Sequence, residues 1–100
     1  MIVLVFRYEA RDTEDFARVY GPDGDWAQFF RQGRGYIGSE LLRDVEEPER
    51  FLVIDRWESA DDYQTFLADH GEEYVRRSDE ARVQFVQELR FGTFENVWGR

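Results

Sequence analysis

The residues of this chain that could bind or transform a small molecule cluster around Trp57. A polar, acid-rich helix is predicted after it, and Tyr63, Phe66 and His70 share one face of that helix, because seven residues span about two turns. Such a face can wall a cavity against a sheet, with His70 and an arginine supplying polar contacts to a ring-shaped apolar ligand. The same pattern also suits a packed core with a hydrogen-bonded histidine near the helix end, so both interpretations stay open.

Composition excludes several kinds of chemistry. The chain has no cysteine, and its thirteen basic residues are all arginine, which removes thiolate nucleophiles, cysteine-ligated zinc and lysine Schiff bases. His70 is the single histidine, so one chain cannot form a two-histidine metal site. The sequence therefore predicts no metal and no cofactor.

Charge and hydropathy restrict the partners. The net charge is -9 and the sequence pI is about 4.5, and an acidic surface repels nucleic-acid phosphates and anionic lipid headgroups. No apolar run approaches the roughly 20 residues that a membrane helix needs. The opening MIVLVF is interrupted by Arg7 and lacks the basic start of a signal peptide. We expect a cytoplasmic protein that binds neither nucleic acid nor membrane, with residues 1–100 forming one domain.

Three short motifs suggest a function, but the residues and elements around them do not support it. The string Gly33–Gly38 reads GxGxxG, but it follows a predicted helix and leads into a strand, the reverse of a dinucleotide site. Asp23-Gly24-Asp25 lacks the further oxygen ligands of a calcium loop and suits a turn with Asp25 as a helix cap. Ser59 suits a helix cap, with Asp62 three residues on, better than a catalytic serine, because no GxSxG turn is present.

The order of predicted elements is β-α-β-β-α-β. The first helical region is interrupted at residues 21–24, and a short helical turn at 72–80 follows the second helix. The predicted strands cover residues 2–8, 36–43, 50–57 and about 83–94, and the second helix covers 59–70. This order is the α+β, ferredoxin-like arrangement, a four-stranded antiparallel sheet with its helices on one face.

Both faces of that sheet are apolar in sequence. In the first strand Leu4 and Phe6 alternate with Val3 and Val5, although the helices can cover only one side. A second copy is the expected cover for the other side in so small a chain, which predicts a homodimer joined through the sheets.

The string Arg50–Ser59 (RFLVIDRWES), followed by Tyr63, resembles the antibiotic biosynthesis monooxygenase domain, and the resemblance extends over nearly the whole chain. Proteins of this family are dimeric α+β barrels with a pocket between sheet and helices. In the quinol-oxidising branch, which uses neither metal nor flavin, Trp57, Tyr63 and Arg77 match the positions of a tryptophan, a tyrosine and an arginine of the pocket. Val53 stands where that branch has an asparagine.

The resemblance implies roles for these residues. Arg77 would stabilise a developing oxyanion and Tyr63 would orient the substrate hydroxyl, while His70 is an alternative proton acceptor, because histidine changes charge near neutral pH. The haem-degrading branch has an asparagine in its first strand and a histidine about ten residues beyond a helical tryptophan. Here the first strand has no asparagine, and the histidine position falls near Arg76.

The leading hypothesis is thus a cofactor-independent monooxygenase acting on a small aromatic or quinol-like compound, with Trp57, Tyr63, Arg77 and His70 as catalytic residues. The alternatives are a non-catalytic dimer that binds a small ligand or haem, and an isomerase or cyclase on the same barrel. Oxygen uptake and a haem absorption band would separate them.

Overall fold

The computed structural model describes residues 1–97. Its strands are β1 (Ile2–Ala10), β2 (Tyr36–Arg43), β3 (Arg50–Trp57) and β4 (Phe85–Glu95). Its helices are α1 (Thr13–Tyr20), α2 (Asp25–Phe30), α3 (Ala60–Asp69) and α4 (Gly71–Ala81), and a short 3-10 segment at Arg82–Gln84 precedes β4.

The four strands form one sheet in the order β2-β3-β1-β4, and every neighbouring pair is antiparallel. The first and third strands lie side by side at the centre, which is the arrangement that the element order predicts. The ferredoxin-like α+β prediction is confirmed, and the bounds of β2 and β3 agree with the sequence-based ones.

Side-chain caps begin two of the helices. Asp12 accepts a hydrogen bond from the Asp15 N–H at the start of α1, and Ser59 accepts one from the Asp62 N–H at the start of α3. The prediction that Asp25 caps the second helix is wrong, since Gly24 holds that position without a side-chain hydrogen bond. Asp25 instead lies inside the first turn, where its charge favours the helix dipole.

The C-terminal third agrees with the sequence-based expectation to within one or two residues. The short helical segment predicted at 72–80 is α4, which extends one residue further at each end and follows α3 after a break at His70. Its apolar residues are sparse, so the pattern is faint, but Glu73 pairs with Arg77 and Arg76 with Glu80 at i,i+4 spacing. These charge pairs support the helix along its exposed side.

The core fills the space between the helices and one face of the sheet, and its buried residues form two clusters. The first contains Tyr8, Ala10, Phe16, Val19, Tyr20, Phe51, Val53 and Ala81. The second contains Leu4, Phe29, Phe30, Trp57 and Phe66. Aromatic rings dominate both clusters, which leaves room for a gap where their edges do not interlock.

The opposite face of the sheet is apolar and uncovered within the chain. We call it the open face, and its apolar residues, which are partly or fully exposed, are Val3, Val5, Leu42, Leu52, Ile54, Leu89 and Phe94. Charged pairs such as Arg56–Glu40 and Arg50–Glu9 lie on the same strands. Over residues 1–97, the helices are all too short or too polar to span a membrane.

Candidate active site

A cavity of about 720 Å³ lies between the sheet and the helices. All four strands and all four helices contribute to its lining, and members of both core clusters wall it. Its apolar lining includes Leu4, Phe6, Trp26, Phe30, Val53, Leu67 and Phe85. A volume of this size suits a drug-sized ligand, and aromatic walls favour a flat, ring-containing one.

A buried carboxyl group faces this cavity from β3. Asp55 is only 8% exposed, and the Ser39 hydroxyl of the neighbouring strand donates a hydrogen bond of 2.5 Å to its Oδ1. Burial raises the pKa of Asp55 to about 6, although the hydrogen bond from Ser39 opposes part of that rise. A carboxylate of this kind can take a proton from a bound ligand near neutral pH.

Tyr63 and Arg90 approach the same region from α3 and β4, and both line the cavity. Burial raises the pKa of the Tyr63 hydroxyl, Tyr74 and Asp55 raise it further, and Arg90 opposes the rise. Tyr63 therefore stays a neutral hydrogen-bond donor in the working pH range. The Arg90 guanidinium donates to Thr93 Oγ1 at 2.8 Å and is exposed at the cavity mouth.

Strand register places these groups on one surface. Arg90 is paired with Phe6, and Phe6 with Val53, so these three residues form a row across β4, β1 and β3 on the helix-facing side. Asp55 is the next inward-facing residue along β3. Two strand spacings, about 10 Å, separate Val53 from Arg90, and Asp55 lies about 7 Å further along β3. A ligand of several fused rings can therefore extend between Asp55 and Arg90.

A second cluster of polar side chains, formed by Tyr8, Tyr20 and Glu88, lines the part of the cavity near α1. Tyr8 donates a hydrogen bond of 2.6 Å to Glu88 Oε2, and Tyr20 packs 4.9 Å from the Tyr8 ring. Burial raises the pKa of Tyr8, and it raises that of Tyr20 to about 12. Both phenols are therefore neutral, and they offer hydroxyl groups to a polar substituent of a ligand.

Trp57 supports the cavity wall without lining it. Its side chain is 0% exposed and packs between Tyr63 and Phe66, with ring centroids 5.4 and 5.3 Å away. A Cβ on Gly33 would approach the Trp57 ring to 2.8 Å, so the backbone lies directly against the indole. Its Nε1 is buried and has no hydrogen-bond partner in the part of the chain that the structure describes.

The other two sequence-predicted site residues lie elsewhere. His70 stacks on Phe66 at 4.7 Å and lines a separate pocket of about 300 Å³ between α3 and the loop after α2. Arg77 pairs with Glu73 at 2.7 Å, and its guanidinium lies over the Phe29 ring. Of the four predicted residues, only Tyr63 lines the 720 Å³ cavity.

Sequence reasoning passed over Asp55, Ser39 and Arg90. The signal for Asp55 was present, because it is a charged residue on the inward side of β3 between Val53 and Trp57. A carboxylate is rarely buried without a structural or functional reason. No comparable signal marks Arg90, since apolar and charged residues are mixed along β4 and most of the strand is exposed. Within residues 1–97, no group of three or more histidine or acidic side chains is placed to hold a metal.

Comparison with known proteins agrees with this architecture. The sequence model of the antibiotic biosynthesis monooxygenases matches residues 26–77, which is more than half of the chain. The chain belongs to the antibiotic biosynthesis monooxygenase family. The matched segment runs from α2 to α4 and includes Asp55, Tyr63 and the strand pair that carries Ser39. A sequence comparison with curated proteins gives no significant match.

Solved structures with the fold of this family superimpose over nearly the whole chain. A mutant form of SnoaB, a cofactor-independent oxygenase from Streptomyces nogalater, has a TM-score of 0.81 at 20% identity, covering 98% of this chain and 94% of its own. PA3566 from Pseudomonas aeruginosa has a TM-score of 0.66 at 14% identity, covering 97% and 94%.

A mutant of MhuD with two manganese protoporphyrin IX molecules bound per active site has a TM-score of 0.67 at 22% identity, covering 100% and 98%. At sequence identities this low, the similarity to these structures shows a shared fold and nothing more.

Proposed function

We propose that the protein oxidises a small phenolic or quinol-like aromatic compound with molecular oxygen, without a metal or organic cofactor, inside the 720 Å³ cavity. The observation that carries this proposal is the buried carboxylate of Asp55 on an aromatic cavity wall. Membership of a monooxygenase family supports it, as does the position of Tyr63 on the same wall.

Three side chains have distinct roles in the proposed reaction. Asp55 removes a proton from the substrate, and Arg90 stabilises the resulting oxyanion. Tyr63, which stays protonated, donates a hydrogen bond that orients the substrate oxygen. Trp57 acts indirectly, because its ring packs against Tyr63 and fixes the direction of the phenol.

The proposed reaction balances with oxygen as the only co-reactant. Loss of a proton from a ring CH₂ next to a phenol leaves an electron-rich anion, which passes one electron to O₂. The resulting radical and superoxide combine in a C–O bond, and the peroxide anion takes up one proton from water, which offsets the proton that the first step releases. Loss of the second C–H proton breaks the O–O bond, so CH₂ and O₂ become C=O and H₂O.

Val53 favours a second candidate. This apolar residue lines the cavity at the position where the quinol-oxidising branch has an asparagine, so one polar contact to substrate is missing. A carboxylate base and an arginine can also move a proton within a substrate, as an isomerase or cyclase requires. That reaction would form product without consuming oxygen.

We also propose that the 100-residue chain acts as one domain and pairs with a second copy through the open face. The seven apolar side chains of that face are exposed or half-buried, and they extend across all four strands. Pairing two such sheets removes both apolar faces from water and leaves each cavity on the outer side.

Oxygen consumption over a panel of quinols and fused-ring phenols tests the proposal. We expect turnover by the wild type and a loss of about 100-fold or more in kcat for Asp55→Asn, in line with the contribution of a general base. Asp61→Asn is the matched control, because Asp61 is exposed in the first turn of α3 and away from the cavity.

Two further variants compare the arginine that lines the cavity with the arginine that the sequence alone predicted for the site. Arg90→Gln should lower kcat strongly, whereas Arg77→Ala should affect mainly the packing of α4 on Phe29. Turnover that is unchanged in Asp55→Asn would contradict the proposed role of Asp55. Product formation without oxygen uptake would favour the isomerase or cyclase.

A further inference from the structure

A line of hydroxyl groups leads from the Asp55 carboxyl to β2, the strand at the edge of the sheet. Ser39 Oγ donates to Asp55 Oδ1 at 2.5 Å, and Tyr36 Oη lies 2.6 Å from the same Ser39 oxygen. Ser39 and Asp55 line the cavity, whereas Tyr36 does not line it and is partly exposed. The three oxygens are therefore continuous from the cavity wall to a residue that reaches solvent.

A β-bulge in β2 makes this line possible. Residues three apart in a regular strand point to opposite faces, so Tyr36 and Ser39 should lie on opposite sides of the sheet. The register shifts between Tyr36 and Gly38, so that Tyr36 pairs with Trp57 and Ser39 with Asp55. The extra residue turns Tyr36 to the same face as Ser39, and bulges commonly re-aim a side chain beside a functional site.

The Tyr36 hydroxyl is not needed to satisfy the carboxyl. Ser39 already supplies a short hydrogen bond to Asp55, and Tyr36 reaches only the Ser39 oxygen. Tyr63, Gln64 and Tyr74 of the helices and Arg90 of β4 are among the polar residues that line the cavity with Asp55. They face the ligand space, whereas the hydroxyl line through β2 leads away from it.

We propose that Asp55, Ser39 and Tyr36 form a proton relay that carries the proton removed from the substrate out of the cavity to water. This inference rests on the proposed function, in which Asp55 is the base. Tyr36 and Ser39 are positioning and transfer residues, and neither is proposed to react with the substrate.

The relay step balances at every oxygen. While Asp55 is ionised, Ser39 donates to it and Tyr36 donates to Ser39. When Asp55 holds the substrate proton, the carboxylic acid donates to Ser39, Ser39 to Tyr36 and Tyr36 to water. One proton then moves along each hydrogen bond, which releases one proton to water and restores the ionised carboxylate with its original hydrogen bonds.

Kinetics of the wild-type chain and of Tyr36→Phe test the transfer. Phenylalanine keeps the ring contacts with Trp57 and Phe30 and removes only the hydroxyl. We expect kcat to fall about 10-fold with KM unchanged, with a larger solvent isotope effect, because proton release becomes slow. Added imidazole should restore the rate of Tyr36→Phe and leave the wild-type rate unchanged, which a purely structural role would not produce.

Ser39 variants supply the matched comparison. Ser39→Ala should behave like Tyr36→Phe, and Ser39→Thr should keep wild-type turnover because it retains the hydroxyl. A Tyr36→Phe enzyme with wild-type kcat and isotope effect would overturn the relay while the proposed function stands.

A second measurement needs no turnover. Carbon-13 NMR of labelled aspartate gives the titration midpoint of Asp55 in each variant. Ser39→Ala should raise it by about one unit, because the charged form loses a hydrogen bond, and Tyr36→Phe should raise it by less. An inactive wild type would defeat the proposed function, and an identical midpoint in wild type and Tyr36→Phe would defeat the relay.

Discussion

Burying the Asp55 carboxyl lowers the stability of the folded protein. Its carboxyl lies among aromatic and aliphatic side chains, and Ser39 supplies its hydrogen bond from the adjacent strand. An ionised carboxylate in such surroundings loses hydration that one hydrogen bond replaces only partly. A valine or leucine on this inward side of β3 would pack more favourably, so the acid is better explained by chemistry than by stability.

This cost predicts a pH-dependent stability. Because burial raises the pKa of Asp55 from 3.8 to about 6, the protonated carboxyl favours the folded state. Its stabilising contribution is complete below about pH 4 and is lost as the pH rises through about 6, and a shift of about two units corresponds to roughly 3 kcal/mol. Asp55→Asn should therefore gain stability relative to the wild type between pH 4 and pH 7.

Urea unfolding of both proteins at the two pH values measures the difference, with Asp61→Asn as the exposed control. An Asp55→Asn effect of equal size at pH 4 and pH 7 would show that folding does not raise the pKa of Asp55.

At the scale of elements, the sequence predicts best where short-range signals agree. β2 lies between Gly35 and the acidic hairpin of residues 44–49, and β3 lies between that hairpin and Ser59. Turn-forming and helix-capping residues therefore mark the ends of both strands. The segment predicted at 72–80 falls one residue short of α4 at each end, and helix ends are where sequence patterns are least precise. The candidate site was predicted only in part, since Tyr63 follows from helix spacing, whereas Arg90 joins it through a strand pairing that sequence patterns do not reveal.

Gly35 connects two of these elements and predicts a local sensitivity. Its φ is +88°, and its carbonyl accepts a hydrogen bond of 2.7 Å from the Glu58 N–H at the end of β3. A Cβ at this position would also overlap the Asp62 carboxylate at the start of α3. Gly35→Ala should therefore destabilise the protein by about 1–3 kcal/mol.

Thermal or urea unfolding tests this expectation against Gly71→Ala. Gly71 has open space around its position and begins α4, so alanine there should be neutral or stabilising by about 0.5–1 kcal/mol. Equal effects of the two substitutions would show that neither the backbone conformation nor the contact with Asp62 matters.

At the scale of the whole molecule, the sheet divides the chain into a side for chemistry and a side for association. The helices, the two core clusters and the cavity lie on one side, and the open face lies on the other. Polar groups of the cavity therefore stay clear of the proposed dimer contact. Association can strengthen the sheet without blocking access to Asp55.

A charge at the centre of the open face should separate the proposed dimer. Ile54 is half-buried on β3, and Ile54→Glu would place a carboxylate in an apolar contact, where it is costly without a partner. Light scattering should give twice 12.0 kDa for the wild type and 12.0 kDa for the variant at micromolar concentration. Val45→Glu is the control, because Val45 is 97% exposed in the hairpin.

A wild type of 12.0 kDa would contradict the dimer, and an Ile54→Glu protein that keeps the doubled mass would place the contact on another surface.

The position of Trp26 on the cavity wall has a practical consequence for optical work. Its indole borders the ligand space, whereas that of Trp57 is sealed in the core. In a Trp98→Phe variant, which removes the third tryptophan of the chain, an aromatic guest in the cavity would quench the fluorescence of Trp26 and leave the shorter-wavelength emission of Trp57 as an internal reference. The protein thus carries its own label-free reporter of occupancy, which can screen compound libraries before any reaction is known.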